Sequence, residues 1–188
     1  MQRRTFLIWF GRSVYAAGAA VVAGAGFRFL SVPLAATATS RKPLRRRLAA
    51  LDSVPTGEPQ LLPVIGMRQD AWTRHAQHVI GRVWVTRTSP ADAPPEQTEL
   101  TVFNASCPHN GCLIQKDASE GFACPCHQAK FGPDGSKVGN SDDYANPSPR
   151  GMDLLGHRIV QDEASGRWWI EVEYKNFKPG LAEQVERA

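Results

Sequence analysis

Two short cysteine and histidine motifs constrain this sequence more than any other feature. All four cysteines and two of the five histidines fall within residues 107–127, in the segments Cys107-Pro108-His109-Asn110-Gly111-Cys112 and Cys124-Pro125-Cys126-His127. Such crowding in a chain that has no other cysteine indicates a chemical site rather than packing. The motifs leave four kinds of site open: zinc, plain disulfides, a catalytic thiol or an iron–sulfur cluster.

The order of the residues favours the iron–sulfur cluster. Structural zinc sites commonly pair their ligands as Cys-x2-Cys or His-x3-His, whereas these motifs offer Cys-x-His and Cys-x2-His, each with one more cysteine nearby. Two loops that each supply one thiolate and one imidazole suit a cluster of two irons, because both thiolates can bind one iron and both imidazoles the other. Zinc and a pair of plain disulfides remain as alternatives.

At these residues the sequence resembles the Rieske family. The resemblance implies one [2Fe–2S] cluster per chain, bound by the four metal ligands Cys107, His109, Cys124 and His127. The extra cysteine in each motif matches the subgroup found in cytochrome bc and b6f complexes, in which the two form a disulfide. By that match Cys112 pairs with Cys126. The Pro-rich segment 146–151 resembles the loop that shields the cluster in this family, so Pro147 and Pro149 belong to the expected cluster environment.

The residues after the second motif depart from the usual pattern of quinol-oxidising members. Those proteins commonly carry Gly-Ser after the second ligand histidine and a Tyr two residues beyond the Ser, whereas this chain has Gln128-Ala129-Lys130-Phe131. Ala129 and Phe131 cannot donate the hydrogen bonds that those hydroxyls make to the cluster and to a ligand sulfur. The resemblance therefore implies a midpoint potential lower by on the order of 100 mV or more, which favours menaquinol over ubiquinol as the reductant.

The resemblance also implies a function in electron transport. A Rieske subunit of a quinol:cytochrome c oxidoreductase takes one electron and one proton from quinol and passes the electron to a c-type cytochrome, while a cytochrome b subunit takes the second electron. His127, in preference to His109, is expected to contact the quinol and to carry the proton. The alternative is an electron-relay subunit of a periplasmic molybdenum oxidase such as arsenite oxidase. Ring-hydroxylating ferredoxins are disfavoured because they lack the extra cysteines and the leader.

The N-terminus has the pattern of an export signal and a membrane anchor. The run Arg3-Arg4-Thr5-Phe6-Leu7, followed by an uncharged stretch over 13–27, resembles a twin-arginine (Tat) signal, which exports folded proteins. Residues 6–34 are enough for one transmembrane span. We therefore expect residues 1–38 to be retained as a single-pass anchor in a bacterial inner membrane, with the head on the periplasmic side. Cleavage at Ala36-Thr37-Ala38, which would release a soluble form, is the alternative.

The disulfide and the export signal support each other. A structural disulfide persists outside the cytoplasm, whereas iron and sulfide are inserted inside the cell, so the protein must be moved after it has folded. The charge distribution agrees with a leader that differs from the body: residues 1–47 hold nine bases and no acid, whereas residues 48–188 hold 13 bases and 18 acids, a net charge of −5. An acidic body does not fit a nucleic-acid-binding protein.

The body has the pattern of an all-β domain. Short strand-like segments, separated by turn residues, occur at 61–67, 79–88, 99–103, 158–161 and 168–174. The last segment alternates Ile170, Val172 and Tyr174 with more polar residues, which is typical of a strand with one buried face. We predict a small antiparallel Rieske β-sandwich over 60–188 with an inserted cluster-binding subdomain at about 104–152, joined to the anchor by a basic neck over 39–59.

Three features of the sequence have weaker signals. The basic cluster at 41–47 lies on the outer side in this topology, against the usual excess of Lys and Arg on the cytoplasmic side, and it binds lipid headgroups, an acidic partner or only solvent. His75 and His78 have no third ligand nearby and are predicted to be surface residues. His157 is predicted to have a structural role beside a strand.

Overall fold

The computed structural model describes residues 2–36, 44–70, 72–118, 121–139, 141 and 144–187. They belong to two units, one over residues 1–42 and one over residues 43–188. The first unit is a single helix, α1, from Arg3 to Ala36, whose 34 residues give a length of about 51 Å. Its segment Arg3–Ser31 has a mean hydropathy of 1.5, and it has no polar face. The predicted helix is confirmed, and it is long and apolar enough to span a membrane.

The described residues of the second unit form nine strands, and all pairings between these strands are antiparallel. Their bounds are β1 Leu44–Ala50, β2 Gln60–Gln69, β3 Arg74–Arg87, β4 Leu100–Asn104, β5 Gln115–Lys116, β6 Phe122–Ala123, β7 Lys130–Phe131, β8 His157–Gln161 and β9 Trp168–Tyr174. They form three sheets with the orders β1-β9-β8, β2-β3-β4 and β5-β6-β7. The five strands predicted from the sequence are confirmed, and β2 and β3 run further toward their shared turn than the pattern indicated.

The first two sheets pack face to face around one hydrophobic core. Val83 and Val85 of β3 share a fully buried cluster with Ile170 and Val172 of β9. The alternation in β9 places Ile170, Val172 and Tyr174 inward, as predicted, while the residues between them are half-buried. The predicted antiparallel sandwich is therefore confirmed.

The segment predicted as a neck belongs to the folded body wherever the structure describes it. Residues 44–50 form β1, which pairs with β9 from Leu44 opposite Tyr174 to Ala50 opposite Trp169. A 3-10 turn follows at Leu51–Ser53, and Leu51 and Val54 lie in the main core. The prediction of a linker over 44–59 was wrong, because burial of these apolar residues and the strand pairing outweigh the flexibility suggested by the run of arginines. Residues 39–43 lie outside the described part of the chain.

Two arginines of the basic cluster contact acids of the body. Arg45 forms an ion pair with Glu173 at 3.1 Å, and Arg47 forms one with Asp162 at 3.0 Å. Arg47 also lies over the Trp169 ring, 5.0 Å from its centroid. Because these pairs are exposed, they fix the register of β1 more than they stabilise the fold. Arg41 and Lys42 lie outside the described residues.

The third sheet belongs to the insertion between β4 and β8. Its small strands surround a second hydrophobic cluster that includes Phe103, Ile114, Phe122 and Phe131. Trp84 of β3 joins this cluster and donates its indole N–H to the Ile114 carbonyl at 3.1 Å. The insertion therefore has its own core, which rests on one sheet of the sandwich and positions the two motif loops.

Candidate metal centre

The first motif forms a tight loop held by its own backbone. The Cys107 amide donates to the Cys112 carbonyl at 2.8 Å, and the Gly111 amide donates to the Cys107 carbonyl at 2.8 Å. Gly111 has φ +77°, a conformation that a residue with a side chain rarely adopts. The side-chain oxygen of Asn104 accepts the Ser106 amide at 2.9 Å and fixes the entry to the loop. The loop therefore returns on itself within six residues and presents Cys107 toward the insertion core.

The second motif is closed by one backbone bond and clamped by a tyrosine. The Cys124 amide donates to the Ala129 carbonyl at 2.8 Å. Gln128 has φ +57°, the one left-handed residue other than glycine among the described residues. The Tyr144 hydroxyl donates to the Gln128 carbonyl at 3.0 Å and accepts the Lys130 amide at 3.1 Å. Tyr144 thus bridges the strained residue on both sides, a contact that the sequence reasoning missed.

The two loops bring the predicted site residues together in pairs. Cys112 and Cys126 form a disulfide, as the resemblance implied. Cys107 and Cys124 are free and buried, and their thiols interact directly. The rings of His109 and His127 meet edge to face with their centroids 4.7 Å apart. The sulfur of Cys124 also lies within 4.8 Å of both disulfide sulfurs, so the covalent link stands directly against one of the free thiols.

Burial separates the two halves of this site. Cys107 and Cys124 are 1% and 2% exposed, whereas His109 is half-buried and His127 is exposed. Burial, and to a smaller extent the neighbouring Cys124 thiol, raise the pKa of the Cys107 thiol to about 11. A metal ion bound by both sulfurs would stabilise them as thiolates. The disulfide occupies the other two cysteines, so they offer no thiolate.

This donor set fits a [2Fe–2S] cluster. Two soft sulfur donors lie side by side in the interior, and two imidazoles lie side by side toward the surface. Such an arrangement offers two ligands to each of two irons, with the sulfurs on one and the nitrogens on the other.

The residues predicted to tune the cluster lie in the wall of the same core. Ala129 is fully buried and Phe131 is 2% exposed, and both belong to the hydrophobic cluster that contains Cys107 and Cys124. The Pro-rich loop is tied to this region because the Asn146 side chain donates to the Lys130 carbonyl at 2.8 Å. Pro147 and Pro149 are half-buried in that loop, and their contact with a cluster stays a prediction.

A buried ion pair beside the Pro-rich loop had no signal in the sequence. Arg150 binds Asp153 through two hydrogen bonds of 2.7 and 2.8 Å, and their side chains are 10% and 4% exposed. Gln184 donates to the same carboxylate at 3.0 Å, and the Arg150 guanidinium donates to the carbonyls of Lys178 and Leu181. The C-terminal segment is thereby fixed against the insertion.

The fixed C-terminal segment touches the first motif loop directly. The Gly180 amide donates to the Pro108 carbonyl at 2.8 Å. The ion pair therefore supports the first motif loop indirectly, because it holds the backbone after β9 that donates a hydrogen bond to this loop.

The other histidines lie apart from the centre. His75 and His78 lie on the β2–β3 hairpin with their ring centroids 6.3 Å apart. His75 is exposed, as predicted, whereas His78 is half-buried. His157 opens β8 at an exposed position, and partial desolvation lowers its pKa.

The fold and the centre define a class of protein: a small antiparallel β-sandwich that carries a two-loop cysteine and histidine metal centre locked by a disulfide. Residues 48–149 match the family model described as the Rieske [2Fe-2S] domain. The chain belongs to the Rieske [2Fe-2S] family. Its residues fit the [2Fe–2S] cluster of that family, and its fold is the family's β-fold preceded by an apolar helix.

Relatives of the chain are subunits of cytochrome complexes. The chloroplastic cytochrome b6-f complex iron-sulfur subunit of Bigelowiella natans is 42% identical over 74 residues, which are 39% of this chain and 27% of that protein. The corresponding subunit of Synechococcus elongatus is 30% identical over 74 residues, 39% of this chain and 38% of that protein. The chain thus spans less than two fifths of the length of these relatives.

Among solved structures, a chain of a hyperthermophilic respiratory Complex III matches 84% of this chain and 98% of its own length, with 17% identity and a TM-score of 0.37.

The contacts of Tyr144 predict a measurable effect on stability. Tyr144→Phe removes both hydrogen bonds around Gln128, and we expect the free energy of unfolding to fall by about 1–2 kcal/mol. Gln128→Gly is expected to raise it by about 1 kcal/mol, because glycine adopts a positive φ without strain. Chemical denaturation of the purified full chain measures both changes.

The double variant is the control for this interpretation. If Tyr144 serves to hold residue 128 in its left-handed conformation, Tyr144→Phe costs clearly less stability in the Gln128→Gly background than in the wild type. Strictly additive effects would contradict a shared role of these two residues.

Proposed function

We propose that this chain is the Rieske electron-transfer subunit of a quinol:cytochrome c oxidoreductase of the bc or b6f type. Membership of the Rieske family and the similarity to cytochrome b6-f subunits support an oxidoreductase role of this general kind. The observation that carries the finer proposal is the exposure of His127 beside a buried pair of free cysteines. A centre with sulfur donors inside and an imidazole at the surface can exchange electrons with a molecule that docks on the outside.

Each residue of the centre has a role in this proposal. Cys107 and Cys124 hold one iron, and His109 and His127 hold the other. When bound, the cluster supplies one-electron chemistry in a range of about −150 to +300 mV. The ring nitrogen of His127 that is not bound to iron accepts the hydrogen bond from a quinol hydroxyl and then its proton, since this ring is the more exposed of the two. The Cys112–Cys126 disulfide holds the two loops together while quinol is bound at His127.

The proposal includes a membrane location. Helix α1 serves as a retained single-pass anchor in a bacterial inner membrane, and the head lies on the periplasmic side, where the disulfide is stable. Since β1 belongs to the sandwich, the connection between Ala36 and Leu44 has only seven residues. At most about 29 Å of extended chain is then available for the head to move between a cytochrome b and a c-type cytochrome.

Purification from native membranes tests this function. The tagged full chain is expected to bring with it a cytochrome b, and quinol added to this complex is expected to reduce the centre in a manner blocked by quinol-site inhibitors. Mass spectrometry of the same preparation reports whether the leader is retained. Isolation with a molybdenum enzyme, and reduction that is insensitive to those inhibitors, would instead identify a relay subunit such as that of arsenite oxidase.

The redox potential forms a separate prediction. Ala129 is fully buried, and its carbonyl accepts the Cys124 amide at 2.8 Å, so a hydroxyl at position 129 would lie beside the ligand loop. Hydrogen bonds donated to the cluster stabilise its reduced, more negative form. We therefore expect Ala129→Ser to raise the midpoint potential by on the order of 50–100 mV.

Redox titration of the purified full chain measures this change. Ala129→Gly is the matched control, because it alters the same position without adding a donor. A wild-type potential near the upper end of the family range, about +300 mV, would contradict both the missing-donor argument and the preference for menaquinol.

A further inference from the structure

The β2–β3 hairpin extends beyond the sandwich as an exposed arm. Within it, the described residues from Ile65 to Val79 (65–70 and 72–79), here called the hairpin arm, lie beyond the last paired residues that contribute to the main core. The Asp70 amide donates to the Thr73 carbonyl at 2.9 Å and closes the turn. Five residue steps from Ile65 to Asp70 correspond to about 17 Å of strand.

The hairpin arm exposes four large apolar side chains to solvent. Ile65 is paired with Val79, and the two are 39% and 40% exposed. Met67 is 59% exposed, and Trp72 at the turn is 97% exposed. Four large apolar side chains on one short hairpin are unusual for a surface that meets only water.

The hairpin arm also carries a cluster of basic side chains. Arg68 lies 3.2 Å from Asp70 and 3.4 Å from the His78 ring, and His75 lies 3.3 Å from Asp70. Together with Arg74, the hairpin arm has two arginines, two histidines and one carboxylate, whereas residues 48–188 as a whole carry a net charge of −5. With neutral histidines the hairpin arm has a net charge of +1, opposite in sign to the body, in the same segment as the exposed apolar side chains.

The base of the hairpin arm lies at the end of the sandwich where the chain arrives from α1. Gly81, just below the hairpin arm, is covered by Tyr174, and a Cβ at Gly81 would overlap the tyrosine hydroxyl. Tyr174 is paired with Leu44, the first residue of β1. Seven residues separate Leu44 from the end of α1, which is at most about 29 Å of chain.

We propose that the hairpin arm binds an anionic lipid surface, that of the membrane that α1 can span. The Trp72 indole lies at the level of the headgroups, which is the environment that tryptophan prefers. Arg68 and Arg74 contact the anionic headgroups, and each such contact multiplies the ratio of bound to unbound hairpin arm by about fivefold.

A lipid surface suits the hairpin arm better than a protein partner. A specific protein interface buries about 800 Å² on each side, which is more than the tip of a two-stranded hairpin offers. A membrane needs no matching shape, and the short connection to α1 keeps the lipid surface at high effective concentration. Binding at this second point would restrict the orientations of the head.

Fluorescence of Trp72 in the full chain tests the proposal. The protein with its cofactor is reconstituted into phosphatidylcholine vesicles with and without about 30% phosphatidylglycerol, and part of the phosphatidylcholine carries bromine on its acyl chains. The signal of Trp72 is obtained as the difference between the wild type and Trp72→Phe, which removes the contributions of the other four tryptophans. We expect Trp72 emission to shift to shorter wavelength and to be quenched by bromine in the anionic vesicles.

Charge reversal distinguishes lipid binding from simple proximity. Arg68→Glu/Arg74→Glu is expected to reduce the bromine quenching of Trp72 at least about fivefold. Lys178→Glu/Arg187→Glu changes the net charge by the same amount at exposed positions outside the hairpin arm and is expected to leave the quenching unchanged. Emission that is the same in detergent and in anionic vesicles would overturn the proposal. So would shielding of Trp72 that arises only when a cytochrome complex is added, since the occupant would then be a protein.

Discussion

Cys124→Ser is expected to yield a folded sandwich with less than about a tenth of the iron of the wild type. Cys124 is one of the two free cysteines, is 2% exposed and contacts the Cys107 thiol. A serine hydroxyl is a harder donor and stays protonated where the thiolate would bind, so it does not replace the sulfur. Iron and acid-labile sulfide per chain, together with low-temperature electron paramagnetic resonance, measure the loss.

The disulfide offers a matched control two residues away. Cys112→Ser/Cys126→Ser removes the link between the loops but leaves all four proposed ligands. We expect this double variant to contain iron when freshly purified and to be less stable than the wild type by about 3 kcal/mol, the value for closing a loop of this length. Iron retained in Cys124→Ser would contradict the ligand assignment. Zinc in place of iron in the wild type would contradict the cluster itself.

The sequence indicated the cofactor because the information is local, whereas the assignment of its individual ligands stays a prediction. Each motif contains its own cysteine and histidine, and Gly111 provides the positive φ that the first loop needs. The alternation in β9 likewise lies within seven consecutive residues. The pairing of Cys112 with Cys126 came from the resemblance to a family, not from the spacing.

Features that depend on distant partners were missed. Residues 44–50 contain three arginines and were interpreted as part of a tether, yet Arg45 meets Glu173 and Arg47 meets Asp162, more than 100 positions away. The clamp by Tyr144 depends on a left-handed conformation at Gln128, which residue preferences disfavour. In each case the contact that determines the structure joins two segments that are separate in the sequence, so no pattern within one segment predicts it.

The buried ion pair is the most consequential contact of this kind. Asp153→Ala is expected to lower the free energy of unfolding by about 3–5 kcal/mol, because it leaves the Arg150 guanidinium buried without its carboxylate. Gln184 loses the same acceptor, and the C-terminal segment, whose Gly180 amide donates to the Pro108 carbonyl, is held less firmly. Urea denaturation of the full chain, followed by the absorbance of the centre and by tryptophan fluorescence, measures the change.

Two variants separate the burial of the charge from the loss of the contact. Glu171→Ala removes a carboxylate from an exposed pair of the same length, 2.7 Å to Arg158, and is expected to cost less than about 1 kcal/mol. Arg150→Met/Asp153→Leu removes both buried charges and is expected to cost less than Asp153→Ala alone, because no charge is left unpaired. Equal losses for Asp153→Ala and Glu171→Ala would contradict this account. On this account, the position of the first motif loop depends on a charge pair more than 40 residues further along the chain. The link between them is the hydrogen bond from the Gly180 amide to the Pro108 carbonyl.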